Sequence, residues 1–183
     1  MELFHFGVKD QRWYHRRWQY PDGSLTPEGR IHYGYSNKDT VFLSGKVRYD
    51  EKVRQVITQE IDKMIEANSH IVIGDAPGAD TRMQEYLKEK GYLDVVVYTT
   101  DSEARNNVGN WKVNNISGKK HKDERHIRRE KDKAMTKAST KGFGISSIDD
   151  DPQSAMSLNI KRLKKQGKPV VLFDYKQNKI FYM

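Results

Sequence analysis

A strand, a tight turn and the start of a helix follow one another in the middle of this chain, and few folds accommodate that succession. The β-branched run Ile71–Ile73 ends on Gly74, and Gly78-Ala79-Asp80 precedes the helical spacing of Met83 and Leu87. Such a turn presents backbone N–H groups and the positive end of a helix dipole at the carboxyl end of a strand. The stretch therefore predicts a site for phosphate or another anion at one edge of a parallel sheet.

Uninterrupted apolar runs alternate with helical patterns over the rest of the chain. Strands are predicted at 41–45, 71–73, 95–98, 143–148 and 169–173, and helices at 50–65, 79–90, 122–138 and up to Gln166. Apolar runs without polar alternation are typical of parallel strands that helices cover on both faces. This order predicts an α/β fold, a Rossmann-like three-layer sandwich with a mostly parallel sheet of about five strands.

Two further segments carry structural predictions. Residues 179–182 are expected to form a terminal hairpin with the fifth strand, and residues 99–120 are expected to be a long polar connection. A connection of this length inside a compact domain is uncommon and often functional. Because it follows the carboxyl end of a strand, we expect it at the same edge as the Gly74 turn.

The first 38 residues differ in kind from the rest and are predicted to be an N-terminal arm, with the Rossmann-like nucleotide-binding domain over 39–183. The arm holds Trp13 and Trp18 among Tyr, His and Arg residues, without an apolar period. Aromatic residues interleaved with Arg are suited to stacking on bases or to binding a partner. Packing of the same aromatics on the main domain is the other interpretation, and it is the one that we favour for an isolated chain.

The arm also resembles a known leader. Residues 6–30, FGVKDQRWYHRRWQYPDGSLTPEGR, are similar to a leader at the start of various phage and prophage proteins of Gram-positive bacteria, whose usual form is GVKGQKWGVRRYQNxDGSLTPxG. The chain departs from it at Asp10 and Tyr14, where the leader has glycine. The resemblance implies phage or prophage origin and attachment to a phage particle, and it implies no chemistry.

Composition excludes several classes of protein. The 183 residues contain no cysteine, which excludes disulfides and thiolate metal sites, and the histidines show no metal-ligand spacing. We expect no membrane association, because no apolar run approaches the roughly 20 residues that a span requires, and we expect a cytoplasmic protein. The net charge of +8 is concentrated in the basic run 119–141, which is either an anion-binding surface or a solvated helix face.

Loops that follow predicted strand ends supply the candidate site. Glycines there allow close approach of a phosphate, and Arg donates two parallel hydrogen bonds to it. Asp80 is expected either to bind ribose hydroxyls or to serve as a first-turn acid of its helix. The full predicted ligand-binding set is Ser44, Gly45, Gly74, Asp75, Gly78, Ala79, Asp80, Arg82, Arg105, Asn106, Asn107, Trp111, Arg128, Arg129, Asp132 and Ser154. The sequence identifies no catalytic residue, metal ligand or cofactor motif.

Five segments in order carry a second resemblance: GDAPGAD at 74–80, QxxL at 84–87, RNNxGxW at 105–111, KDKAM at 131–135 and NIxxLxxxGKP at 159–169. Over residues 40–175 the chain resembles bacterial and phage Rossmann-like proteins of the SLOG superfamily. That group includes LOG phosphoribohydrolases, DprA-type DNA-processing proteins and YspA-like small proteins. The resemblance implies binding of nucleotides or nucleotide-derived ligands, and some members cleave N-glycosidic bonds.

The chain departs from that group in one loop. Relatives have a Trp-Asp-Gly-Lys-Ser-x-Gly loop where this chain has residues 147–154, SIDDDPQS. The tryptophan and both glycines are absent, and Ser154 stands in for the serine. A phosphate pocket at this loop would therefore be more acidic and less open to backbone contacts.

Three functions follow from these observations. The preferred hypothesis is binding of a nucleotide or nucleotide-derived small molecule at the strand carboxyl ends, in the setting of phage–host conflict. The alternatives are an N-glycosidase acting on nucleosides or nucleotides, and a phage structural or DNA-contacting protein with nucleic acid as its partner. Homo-oligomerisation is left open.

Overall fold

The computed structural model describes residues 38–45, 51–116 and 124–183. The arm predicted over residues 1–38 lies outside these ranges, apart from Lys38. The elements are β1 (Thr40–Gly45), α1 (Glu51–Glu66), β2 (His70–Gly74), α2 (Ala79–Glu89), β3 (Val95–Thr99), β4 (Lys112–Asn115), α3 (Glu124–Ala138), β5 (Lys141–Ser146), α4 (Ala155–Lys165), β6 (Val170–Asp174) and β7 (Lys179–Tyr182).

These elements form one mixed sheet in the order β4-β3-β2-β1-β5-β6-β7. All neighbouring strands run parallel except β6 and β7. In the centre, Val41 of β1 pairs with Ile71 of β2 on one side and with Lys141 of β5 on the other. The predicted Rossmann-like α/β fold with a mostly parallel sheet is confirmed.

The strand count is seven rather than about five, and the two additional strands are the edges of the sheet. The hairpin expected at the carboxyl end is β7, which pairs antiparallel with β6. The prediction of a single long polar connection over residues 99–120 was wrong, because β4 lies within them. Its sequence, Lys-Val-Asn-Asn, has no apolar pattern, since three of its four residues are exposed at the edge of the sheet.

Helices cover both faces of the sheet. The apolar stripe of α1, which includes Ile57 and Ile61, packs with Leu87 of α2 against one face. Met135 of α3 and Leu163 of α4 pack against the other face. This placement produces three layers, with the apolar strand residues between the helices. No helix within the described ranges is long and apolar enough to cross a membrane.

Glycines end two of the helices where the sequence predicted. Gly91 follows α2 with φ of 63°, and Gly167 follows α4 with φ of 69°. Both lie in the left-handed region, which glycine adopts at little cost. These stops return the chain to the amino-terminal edge of the sheet, so that each following strand is parallel to the previous one.

Candidate ligand site at the strand carboxyl ends

The Gly74 turn lies at the carboxyl edge of the sheet, between β2 and α2. Gly78 is the N-cap of α2 with φ of 100°, and no side chain caps this helix end. The first N–H groups of α2 therefore point out of the turn without a side-chain acceptor at the cap. Gly74, the last residue of β2, is fully enclosed, and a Cβ built on it would lie 2.6 Å from Oδ2 of Asp80.

Asp75, directly after β2, is buried and accepts hydrogen bonds from three side chains. Lys131 Nζ lies 2.6 Å from Oδ1, Arg105 binds with both Nη2 and Nε, and Thr99 Oγ1 lies 2.8 Å from Oδ2. Burial alone would raise the pKa of this carboxyl, but the hydrogen bonds from Arg105 and Lys131 outweigh burial. They hold the pKa far below its usual range, so Asp75 is ionised.

The two cations come from distant parts of the chain. Lys131 is on α3, 56 residues beyond Asp75, and only 6% of it is exposed. Arg105 is in the loop after β3, and its side chain remains 40% exposed. One ionised carboxylate thus holds two cations, and one of those cations faces solvent.

Asp80, in the first turn of α2, is the second acid of the cluster. Desolvation by burial raises its pKa to about 7, although Lys131 and the backbone N–H of Ala76 both act to lower it. Below pH 7 Asp80 is therefore mostly neutral. The cluster of Asp75, Asp80, Arg105 and Lys131, referred to below as the Asp75 cluster, then carries one net positive charge, and the exposed Asp101 lies next to it, 3.6 Å from Arg105 Nε.

The loop after β3 is fastened to the Gly74 turn by amide side chains. Gln84 Nε2 donates to the carbonyl oxygen of Gly74 at 2.9 Å, and its Oε1 accepts from the N–H of Val108 at 3.0 Å. Asn106 Nδ2 donates to the carbonyl oxygen of Asp75 at 3.0 Å. The structure thus brings together Asp75, Asp80, Arg105 and Asn106 from the predicted set, as well as Gly74.

Trp111 and Asn107, also in the predicted set, make hydrogen bonds within the fold. Trp111 is 8% exposed, and its indole N–H donates to the carbonyl oxygen of Tyr92 at 2.8 Å. Asn107 donates to the backbone carbonyl of Trp111 and accepts from its N–H. Their polar groups are thus used within the fold, so we do not place these two residues in contact with a ligand.

Ser44, Gly45 and Ala79 lie where β1 approaches the start of α2. A Cβ on Gly45 would lie 2.7 Å from the Cβ of Ala79, so close packing excludes a side chain there. Ser44 is partly buried beside it.

The other predicted residues lie on helices. Arg82 is exposed on α2 and pairs with Glu85 at 2.8 Å. Arg128 and Arg129 are exposed on α3. Ser154 caps α4, because its Oγ accepts from the N–H of Ser157.

Asp132, next to Lys131 on α3, is partly buried. Desolvation raises the pKa of its carboxyl, and Lys131, Arg162 and Asn159 oppose that effect. Asp132 is therefore a third acid near Lys131, besides Asp75 directly after β2 and Asp80 on α2.

Comparisons with known proteins agree with this architecture. No protein-family model matches the chain, and no curated protein matches it by sequence. Among solved structures, the chain is similar to DNA processing protein A of Helicobacter pylori, with a TM-score of 0.56 and 14% identity. The alignment covers 73% of this chain and 64% of that one. The fold is DprA-like.

Sequence reasoning missed Lys131, Thr99 and Gln84 as members of the site. Lys131 lies four residues before Met135, so both are on the buried face of α3. Gln84 is likewise buried between Met83 and Leu87 on α2. A polar residue on the apolar face of an amphipathic helix was therefore the signal available in the sequence.

Proposed function

We propose that the strand carboxyl ends bind a nucleotide or nucleotide-derived small molecule through a phosphate group. The observation that carries the proposal is the Asp75 cluster, in which two cations share one ionised carboxylate beside the uncapped start of α2. An anion there gains the surplus positive charge, the N–H groups of the helix end and the helix dipole together.

Arg105 is the group suited to contact the ligand. Its Nε and Nη2 bind Asp75, which fixes the plane of the guanidinium, and the side chain stays partly exposed. The remaining N–H donors of a fixed guanidinium form a rigid fork that suits a phosphate. Lys131 is buried, and it contributes positive charge next to Asp75, with which it forms an ion pair.

Isothermal titration calorimetry against mononucleotides, cyclic nucleotides and ADP-ribose-type ligands tests the proposal. We expect Arg105→Gln to weaken binding about tenfold or more, because it removes a charge-assisted hydrogen bond. Lys133→Gln is the matched control, since Lys133 is exposed on α3 and pairs with Glu130 on the same helix. Absence of binding by the unaltered protein across the whole panel would reject the proposal.

N-glycosidase activity is a second candidate, which Asp80 favours. A buried carboxyl whose pKa is raised to about 7 is able to donate a proton to a leaving base at neutral pH. The test is release of free base from nucleosides or nucleotides, followed by chromatography. Loss of that release in Asp80→Asn, with binding retained, would support catalysis, whereas no release by the unaltered protein would exclude it for the substrates used.

DNA contact is a third candidate. The solved DNA processing protein A with this fold has been described in its binding to single-stranded DNA. In this chain, α3 exposes Arg128 and Arg129. If these residues contact phosphates, Arg128→Gln/Arg129→Gln should make the salt dependence of DNA binding shallower by about one to two in log–log slope. An unchanged slope would show that DNA, if bound, contacts residues other than Arg128 and Arg129.

Roles in phage–host conflict and as a component of a phage particle rest on the leader resemblance within residues 1–38. They remain predictions, as does a cytoplasmic location.

A further inference from the structure

A second strand-to-helix turn lies at the same edge of the sheet, between β5 and α4. Several of its backbone N–H groups donate to carboxylates of the chain. Asp174, the last residue of β6, is buried and accepts from the N–H of Ile148 at 2.8 Å and from Ser147 Oγ at 3.3 Å. Its other oxygen accepts from the N–H groups of Lys176 and Gln177.

Asp150 also accepts hydrogen bonds from this turn. Its Oδ2 accepts from Ser146 Oγ at 2.7 Å and from the N–H of Ser147 at 3.1 Å. Asp150 is buried as well, and Lys176 Nζ lies 3.4 Å from its Oδ1. The N–H groups of Ser147 and Ile148 thus already bind carboxylate oxygens, and those of Asp149 and Asp150 bind the hydroxyl and carbonyl oxygens of Ser147.

The N-terminus of α4, the helix after this turn, is capped by a side chain. Ser154 caps α4 by accepting from the N–H of Ser157 at 3.2 Å, whereas the start of α2 has no side-chain cap. The two strand-to-helix turns of the same edge therefore differ in hydrogen bonding, and they differ in charge too. Asp149 and Asp151 add two exposed acids to the β5–α4 turn.

The two turns are close enough for these charges to act on one ligand. β1 pairs with β2 on one side and with β5 on the other, so the ends of β2 and β5 are about 10 Å apart at the usual strand spacing. That distance is comparable to the Debye length at 0.1 M salt, about 10 Å. A polyphosphate bound at the Gly74 turn and extending along the rim would approach the acidic turn.

We propose that Asp149, Asp150, Asp151 and Asp174 make the rim selective for a nucleotide with a single phosphate. The phosphate lies at the Gly74 turn, and the uncharged sugar and base extend toward β5. This inference rests on the proposed function and narrows its ligand class. Polyphosphates and strands of nucleic acid that run along the rim are disfavoured by repulsion from the acidic turn.

Calorimetry with AMP, ADP and ATP in magnesium-free buffer tests the inference. We expect the unaltered protein to bind ATP no more tightly than AMP, although ATP carries more charge for the Asp75 cluster to attract. The variant Asp149→Asn/Asp151→Asn should tighten ATP binding about threefold at 0.1 M salt and leave AMP binding nearly unchanged. It retains Asp150 and Asp174, which hold the turn together.

The matched control is Glu66→Gln/Glu89→Gln. These acids are exposed at the last residues of α1 and α2, at the opposite edge of the sheet, and their removal changes net charge equally. If none of the three nucleotides binds the unaltered protein, the proposed function fails for them and this inference fails with it. If ATP binds most tightly and neutralising Asp149 and Asp151 does not change the ATP-to-AMP ratio, only the selectivity inference is overturned.

Discussion

Gly74 determines how closely the acid of α2 approaches the end of β2. Its missing side chain leaves the space in which the Asp80 carboxylate lies, beside Lys131 Nζ. Lys131 Nζ, 3.5 Å from a built Cβ, would be in ordinary van der Waals contact, whereas the buried Asp80 carboxylate at 2.6 Å would have to shift. The position of Asp80 therefore depends on a glycine at the preceding strand end.

Replacement of Gly74 by alanine is expected to lower the free energy of unfolding by about 1–3 kcal/mol, because the added methyl group overpacks a closed site. Urea unfolding followed by circular dichroism measures the change. Combining Gly74→Ala with Asp80→Ala should recover part of the loss, since the clashing carboxylate is then absent. Strict additivity of the two changes would contradict the contact.

Asp80 should make stability fall as pH rises. Its pKa is raised from 3.8 to about 7 in the folded protein, so the native state binds the extra proton between those values. Its contribution to stability is therefore full below about pH 4 and is lost as the pH approaches 7. Burial also raises the pKa of Asp132, which acts in the same direction in every variant that retains it.

Asp80→Asn removes this titration and keeps the shape of the side chain. The variant should gain stability relative to the unaltered protein between pH 5 and pH 8, by roughly 2–4 kcal/mol over the full range. Urea unfolding at several pH values measures the difference. Parallel stability curves for the two proteins would show that Asp80 does not titrate in this range.

Asp75 joins three segments that are remote along the chain: the end of β2, the loop after β3 and helix α3. Arg105 and Lys131 reach it across 30 and 56 residues. Such a buried ion cluster contributes little net stability over an apolar replacement, but the loss of one member leaves an unpaired charge. Positioning of α3 and of the β3–β4 loop is therefore coupled at one carboxylate.

Removal of that carboxylate has a defined expected cost. Asp75→Asn should lower the free energy of unfolding by about 3–5 kcal/mol, because buried Lys131 loses its ionised partner. Asp39→Asn is the matched control: Asp39 pairs with Lys141 at 2.7 Å, but it is half exposed, so about 1 kcal/mol or less is expected. Equal costs in chemical denaturation would contradict the distinction between buried and exposed pairs.

The sheet and the two apolar clusters of the described residues are built from elements that begin at Thr40. β1, which begins at Thr40, occupies the middle of the sheet between β2 and β5. Both apolar clusters are assembled from described elements after that point, one on each face of the sheet. The boundary at residues 38 and 39 remains a prediction.

A chain that begins at Asp39 is therefore expected to fold by itself, with one cooperative unfolding transition and a circular dichroism spectrum of mixed helix and strand. Differential scanning calorimetry of this shortened protein and of the full chain makes the comparison. A non-cooperative transition in the shortened protein would show that the first 38 residues contribute to the core.

The amino-acid sequence by itself determined the α/β class, the order of most elements and the strand–turn–helix arrangement around Gly74. These are local properties: apolar runs, a 3.6-residue period in α1 and glycines where helices end. It missed β4, because an exposed edge strand such as Lys112–Asn115 needs no apolar pattern. Its backbone hydrogen bonds to β3 define it as a strand.

Only the tertiary structure decided which polar residues share a site. Lys131 and Arg105 meet at Asp75 because parallel crossovers bring distant segments to one edge of the sheet. The same folding turns Trp111 into the interior, although its type and loop position favoured a ligand contact. Tertiary contacts place the cations Arg105 and Lys131 at the Gly74 turn and the acids Asp150 and Asp174 at the turn after β5, and the order of residues along the chain does not give that distribution of charge.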